Sequence, residues 1–183
     1  MADILMLQPD LVTPRLVLRR LRPSDAALIG LYASDARLAR MTASIPHPYP
    51  PGQAEAFVDR VLGRASRETV WAIDSGPDGE NGLIGLIGLR TRDGTEAEIG
   101  YWVAAAFWGT GYASEAVEAV VAEAGRRGLT ALLAQVIQDN VASAKVLTRA
   151  GFAYVGDGSI YSVARATMVP TFRYRRDLAA AAG

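Results

Sequence analysis

The sequence predicts a mixed α/β fold, one sheet with helices packed against it, in a single domain over residues 1–183. Three observations carry that reading. Strand-like runs alternate with helical ones along the chain. The clearest unit, over 96–137, reads as strand, glycine turn, amphipathic helix and apolar strand. Half of the 183 residues are apolar, which allows a sizeable core and argues against disorder.

Taken in order, residues 15–21 are rich in Leu and Val and read as a first strand, after which Pro23-Ser24-Asp25 opens a helix carrying Leu28, Ile29, Leu31 and Tyr32. Ile45-Pro46-His47-Pro48-Tyr49-Pro50-Pro51 follows. Proline lacks the N–H that propagates a helix, so this is a stiff surface loop. Ala54, Phe57, Val58, Val61 and Leu62 recur at helical spacing and predict an amphipathic helix over 51–63. Runs at 70–74 and 82–90 flank the turn-rich Ser75-Gly76-Pro77-Asp78-Gly79 and read as a hairpin.

A second turn at Arg92-Asp93-Gly94 leads into 96–103, where Ala97, Ile99, Tyr101 and Val103 alternate with Glu98, Gly100 and Trp102, a strand with unlike faces. The helix after the glycine turn carries apolar pairs at 112/113, 116/117 and 120/121, early acids, late Arg126 and Arg127, and a stop at Gly128. Residues 131–137 are nearly all apolar, as in a parallel strand covered on both faces. Strand, helix and strand then make a right-handed crossover, with the glycine turn at the carboxyl end of the first strand. Asn140 is placed to cap a short helix over 141–150 that stops at Gly151. Strands resume at 152–155 and continue near 161–163 and 171–175, and a frayed tail is expected at 179–183.

Lys plus Arg and Asp plus Glu number 19 each, so no global field recruits nucleic acid or a membrane surface. Arg173, Arg175 and Arg176 around Tyr174 read as part of a late strand rather than as an RNA patch. Cysteine is absent, which removes disulfides, zinc-thiolate sites and a thiol nucleophile. The longest apolar run, 82–89, is too short to span a bilayer, and residues 1–10 lack the pattern of a signal peptide. The expectation is a cytoplasmic protein with no nucleic-acid, membrane or metal partner.

The chemistry lies in Trp108-Gly109-Thr110-Gly111-Tyr112-Ala113-Ser114-Glu115-Ala116. A helix start leaves N–H groups unpartnered and adds the positive end of the macrodipole, so a turn with little side-chain bulk presents those donors to an anion such as pyrophosphate. A dinucleotide site fits poorly. Gly109-Thr110-Gly111-Tyr112-Ala113-Ser114 lacks the last glycine of G-x-G-x-x-G, and the next strand ends without the acid that binds a ribose. A P-loop fails as well, because no Lys-Ser or Lys-Thr follows the turn.

The stretch resembles the coenzyme A motif of the GCN5-related N-acetyltransferases (GNAT), Gln/Arg-x-x-Gly-x-Gly/Ala, with Gly111 and Ala113 at the last two fixed positions. Trp108 stands at the first, a departure that is familiar in the branch resembling ribosomal-protein N-terminal acetyltransferases of the RimJ/RimL type. There an aromatic-Trp-Gly-x-Gly-Tyr-Ala sequence is usual, and residues 107–113 match it. A second motif, Asn140-Val141-Ala142-Ser143, then Leu147, then Gly151-Phe152, lies one crossover downstream as the family pattern requires. The resemblance runs from Thr13-Pro14-Arg15-Leu16 to the final strand.

The resemblance implies a GNAT fold whose two central parallel strands splay, with acetyl-CoA as acyl-donor substrate. It implies a bulge in the strand before the turn, which Gly100 would ease. Backbone groups near Tyr101, Trp102 and Val103 are then expected to pair with the pantetheine arm, an N–H there polarising the thioester carbonyl. Trp108, Gly109, Thr110, Gly111, Tyr112, Ala113 and Ser114 form the expected pyrophosphate cradle. Asn140, Ser143 and Lys145 complete the coenzyme set; Lys145 and Arg149 either reach its phosphates or occupy an exposed helix face.

Direct transfer requires a neutral amine near the thioester carbon, stabilisation of the developing oxyanion and protonation of the departing thiolate. Many family members use a Tyr as the acid where Leu147 stands here. In the ribosomal-protein-like branch a Ser on the helix's first turn replaces it, which matches Ser143, although such a Ser also helps to cap a helix. Glu98, on the strand beside the thioester, is the candidate base, directly or through water; the alternative is a solvated strand face. His47 and Tyr49 sit in the loop that borders the acceptor site in the family and are candidates for substrate contact. The implied acceptor is a protein N-terminal amine, with a small amine such as an antibiotic as the alternative. A non-catalytic acyl-CoA sensor is the rival from another class, kept open by Leu147, and subunit pairing, common in this branch, makes a homodimer an option.

Overall fold

The computed structural model describes residues 8–63, 68–76 and 82–178. Its strands are β1 (Leu11–Val12), β2 (Val17–Arg20), β3 (Glu68–Asp74), β4 (Leu83–Thr91), β5 (Glu96–Val103), β6 (Ala131–Ile137), β7 (Ala153–Ser162) and β8 (Thr167–Asp177). They form one sheet in the order β1-β2-β3-β4-β5-β6-β8-β7. The helices are α1 (Ala26–Ala33), α2 (Ala36–Arg40), α3 (Gln53–Leu62), α4 (Tyr112–Arg126) and α5 (Val141–Arg149). No helix among the described residues is long and apolar enough to cross a membrane.

The two-residue period of β5 explains the layering. Ala97, Ile99 and Val103 enter a core shared with Val117 and Val120 of α4 and Leu147 of α5, whereas Trp102 packs with Ile29 of α1 and Val58 of α3. The sheet therefore lies between two helical layers, each covering one apolar face. The apolar stripe of α4, Ala116, Val117, Val120, Val121 and Ala124, is buried as its spacing predicts.

The feature that makes the site is a parting of the sheet. β5 and β6 run parallel and pair at Glu96–Ala131, Ala97–Leu132 and Glu98–Leu133, and there the ladder stops. Beyond Glu98 the two strands continue without a shared register. On the outer sides β4 holds β5 as far as Val103, and β8 holds β6 as far as Ile137. Each arm of the fork is thus fixed by its other neighbour.

The expected bulge is not there. β5 pairs with β4 residue for residue from Ala97–Thr91 to Val103–Gly85 with no shift, and Gly100 faces Gly88 in register. β5 keeps its register with β4 and β6 keeps its register with β8, so the strands part with no bulge in either outer ladder. The late strands also differ from expectation: 152–155, 161–163 and 171–175 belong to one long antiparallel hairpin, β7 with β8, whose register shifts between Tyr154 and Gly156. The short β1 and α2 carried no readable period. The turn at 77–79 and the tail at 179–183 lie outside the described residues.

One buried ion network holds the N-terminal part. Arg19 donates from Nη1 and Nη2 to Asp25 at 2.9 and 2.8 Å and from Nε to Asp74 at 3.2 Å, with all three side chains nearly inaccessible. Asp25 also accepts from Arg22 N at 2.7 Å, which ties β2 to the start of α1.

Candidate active site

The backbone of β5 presents its hydrogen-bonding groups to two sides in alternation. Ala104 N donates to Ile84 O at 2.8 Å, so Ala104 and Ile84 are a hydrogen-bonded pair of the β4–β5 ladder. By the same alternation Trp102 and Gly100 spend their backbone groups on β4, while those of Ile99, Tyr101 and Val103 point into the fork. No register partner on β6 faces Tyr101 or Val103, and Ile99 sits at the last rung beside the Glu98–Leu133 pair. Val103 O is taken by Trp108 Nε1 at 2.7 Å. Of the three residues expected to pair with a pantetheine arm, Tyr101 and the Val103 N–H therefore face the opening, and Trp102 turns its backbone away from it.

Across the fork stands the first turn of α5. Asn140 caps this helix by accepting from Ser143 N at 3.1 Å, as its type and position predict, and its Nδ2 donates to Met41 O at 3.4 Å. The cap points the Ser143 side chain toward β5, where its Oγ lies 2.8 Å from the Tyr101 hydroxyl; either oxygen can donate. Tyr101 Oη is also 3.2 Å from Ser143 O. Burial pushes the Tyr101 phenol up to about 12, the hydrogen bond to Ser143 pulling the other way and Tyr174 adding to the rise. The pair is held neutral and within reach of the fork. Leu147, one turn on, is fully buried and offers no proton.

The glycine turn closes the open end of β5. After a 3-10 turn at Ala105–Phe107, Gly109 and Gly111 adopt positive φ of 76° and 85°, which a side chain disfavours, and Gly111 caps α4. No side chain caps this helix, so the N–H groups of Ala113 and Ser114 are left for an anion. Thr110 Oγ1 is used within the turn, donating to Phe107 O at 2.7 Å. Lys145 lies on the exposed face of α5, with no hydrogen bond or ion pair from its side chain among the described residues.

A cavity of about 690 Å³ joins the fork to the loops on the far side of the sheet. Ile99, Tyr101 and Ser143 line its inner part, and Met41, Tyr49 and Phe57 line its outer part. Tyr49 is half-buried, and burial, with Glu55 nearby, pushes its phenol up. His47 is exposed and lies off the cavity wall. Glu98 reaches the cavity at the vertex of the fork and is ion-paired with Arg92 at 3.1 Å. Glu68 lies nearby, between Arg60 at 3.2 Å and Arg90.

The sequence reading missed two contributors: the side chain of Tyr101, counted there only for its backbone, and the bracing of the acceptor-side loop. Arg165 donates to Arg40 O at 2.8 Å and pairs with Asp139 at 2.7 Å, and Val163 N donates to Ala43 O at 2.9 Å. These bonds tie the β7–β8 turn and the start of α5 to residues 40–43. Alternation marked the Tyr101 side of β5, but its partner lies 42 residues away in the chain.

Residues 15–153 match the family model described as the acetyltransferase (GNAT) domain. The uncharacterized N-acetyltransferase YoaA of Bacillus subtilis (strain 168) is 32% identical over 149 residues, covering 79% of this chain and 82% of that protein. Among solved structures, RimL, the ribosomal L7/L12 alpha-N-protein acetyltransferase in complex with coenzyme A, matches with a TM-score of 0.80 at 20% identity, over 93% of this chain and 98% of its own. The microcin C7 self-immunity acetyltransferase MccE, in complex with acetyl-CoA and AMP, gives 0.78 at 17%, over 91% and 94%. Spermidine N-acetyltransferase from Vibrio cholerae, in complex with CoA and spermine, gives 0.75 at 16%, over 90% and 96%. With its sheet parted between β5 and β6 and an uncapped glycine turn at the end of β5, the chain belongs to the GNAT acetyltransferase family and is an acetyl-CoA-dependent acyltransferase.

Proposed function

We propose that this enzyme acetylates the α-amino group of a protein or peptide N-terminus, passing the acetyl group directly from acetyl-CoA. The observation that carries the reading is the hydrogen-bonded Tyr101–Ser143 pair, set across the fork where a thioester tail enters. The amine nitrogen attacks the thioester carbonyl carbon and the C–S bond breaks. The nitrogen loses one proton toward Glu98 through water, the sulfur takes one from Ser143 Oγ, and water carries the proton from Glu98 back to the serine, so that the two transfers cancel. Tyr101, donating to Ser143 Oγ, leaves the serine proton free to point at the sulfur. Asn140 orients the serine through its cap, Tyr49 contacts the acceptor, and the Gly109 to Ser114 turn holds the diphosphate. Lys145 and His47 have less support, the first for lack of a hydrogen bond or ion pair among the described residues and the second for lying off the cavity.

The charge of the cavity wall favours a peptide over a polyamine. Its acids, Glu68 and Glu98, are both ion-paired with arginine, and Arg60 and Arg90 also line it, so the wall offers no surplus of negative charge to a polycation. The test is acceptor-dependent release of coenzyme A across peptides beginning with Ala or Ser, spermine and aminoglycosides. Peptides are expected to be turned over best. Faster turnover of a small amine would overturn the acceptor class, and binding of acetyl-CoA with no acceptor-dependent release would leave a sensor.

A further inference from the structure

The glycine turn has the backbone for a diphosphate but no cation of its own: residues 108–114 contain no Lys, Arg or His. Trp108, at the motif position where Gln or Arg is usual, spends its indole N–H on Val103 O. Two guanidiniums approach it: Arg37 lies over the Trp108 ring, its Cζ 5.9 Å from the centroid and its charge paired with Asp35, whereas Arg15 reaches the backbone of the turn from the other end of the chain. Arg15, between β1 and β2, donates from Nη1 to Thr110 O at 2.9 Å and from Nε to Glu115 at 2.7 Å, and its Cζ lies over the Tyr112 ring, 4.8 Å from the centroid. Its Nη2 has no hydrogen-bond partner among the described residues and stands 3.2 Å from the point a Cβ on Gly111 would occupy. The side chain is 49% exposed, so this edge opens to solvent beside the uncapped start of α4.

Glu115 accounts for the rigidity of that placement. Its Oε1 accepts from Thr13 Oγ1 at 2.6 Å and Arg15 N at 2.9 Å, and its Oε2 accepts from Arg15 Nε. The acid clamps one edge of the guanidinium and leaves the opposite edge facing the turn. A residue serving only as a staple between the N-terminal strands and α4 has no need of that second edge, nor of lying over Gly111, the side-chain-free N-cap of α4.

We propose that Arg15 is a coenzyme-binding residue, its guanidinium supplying to the diphosphate of acetyl-CoA the cation that the turn itself lacks. The proposal rests on acetyl-CoA being the donor and is independent of the acceptor. Calorimetry on the full chain tests it with acetyl-CoA and with S-acetyl-pantetheine, which has the tail and no phosphate. Arg15→Ala is expected to raise the Kd for acetyl-CoA about tenfold or more, the loss of one hydrogen bond to a charged group, and to leave S-acetyl-pantetheine unchanged; Arg15→Lys falls between. Glu115→Gln, which loosens the clamp and keeps the cation, is expected to lower the melting temperature and to weaken acetyl-CoA clearly less than Arg15→Ala does, because the guanidinium charge is retained. An unchanged Kd in Arg15→Ala overturns the proposal. So does equal weakening of both ligands, or Glu115→Gln weakening acetyl-CoA as much as Arg15→Ala does. If the wild-type chain itself binds no acetyl-CoA, the donor assignment has failed rather than the role of Arg15.

Discussion

The Tyr101 hydroxyl lies 2.8 Å from Ser143 Oγ, joining the unpaired half of β5 to the first turn of α5 across the parted sheet. The contact closes a gap that no backbone ladder bridges, and it sets two neutral hydroxyls side by side where the proposed function brings the thioester sulfur. Tyr101→Phe is expected to lower kcat about tenfold, the scale of one lost hydrogen bond at a reacting group, with the acetyl-CoA Kd little changed. Burial holds the phenol up to about 12, so the protonated form dominates below that pH and is lost only above it. Wild type and variant should therefore show the same pH–rate limbs below about pH 10. A basic limb in the wild type that vanishes in Tyr101→Phe would show a phenol that titrates in the working range.

Ser143→Ala removes the proposed donor to sulfur while leaving the Asn140 cap, which uses the Ser143 backbone N–H. Turnover is expected to fall about 100-fold, the lower range for a lost general acid, with acetyl-CoA affinity and melting temperature near wild type. Single-turnover kinetics check this. An unaltered rate would assign the proton to water.

Gly111→Trp places bulk at φ 85°, against Arg15 and inside the turn that leads into α4. Loss of measurable acetyl-CoA binding by calorimetry, with an unchanged far-ultraviolet circular dichroism spectrum, is the expected result. Wild-type affinity would remove the turn from the coenzyme site.

Arg19→Ala leaves Asp25 and Asp74 buried without their shared partner. Breaking a buried pair from one side costs about 3–5 kcal/mol, and urea unfolding should register a loss of that size. A loss under about 1 kcal/mol would mean that water reaches the two carboxylates.

The local signals were legible because their causes are local. The alternation over 96–103, the stripe of α4, the glycines at positive φ and the Asn140 cap each depend on residues within a few positions of one another, and the structure holds them where the sequence puts them. The late arginines lie on a strand as their position suggests, but their partners are distant in the chain: Arg175 pairs with Glu96 as well as Asp177, and Arg176 donates to Ala150 O. Gly100 shows the limit. A glycine in a strand is compatible with a bulge, yet the unbroken β4 ladder keeps it in register.

Short-range signals in the chain specify the longer elements from β2 to α5, the glycine turn at the start of α4 and the residue types of the two motifs, since periodicity, capping and backbone freedom act over a few residues. Only the tertiary structure decided where β5 and β6 part, that Tyr101 meets Ser143, and that Arg15 reaches the turn 95 residues ahead. Those meetings depend on which strands become neighbours in the sheet, and that choice is made by burying whole apolar faces at once, a sum over the entire chain that no short window contains.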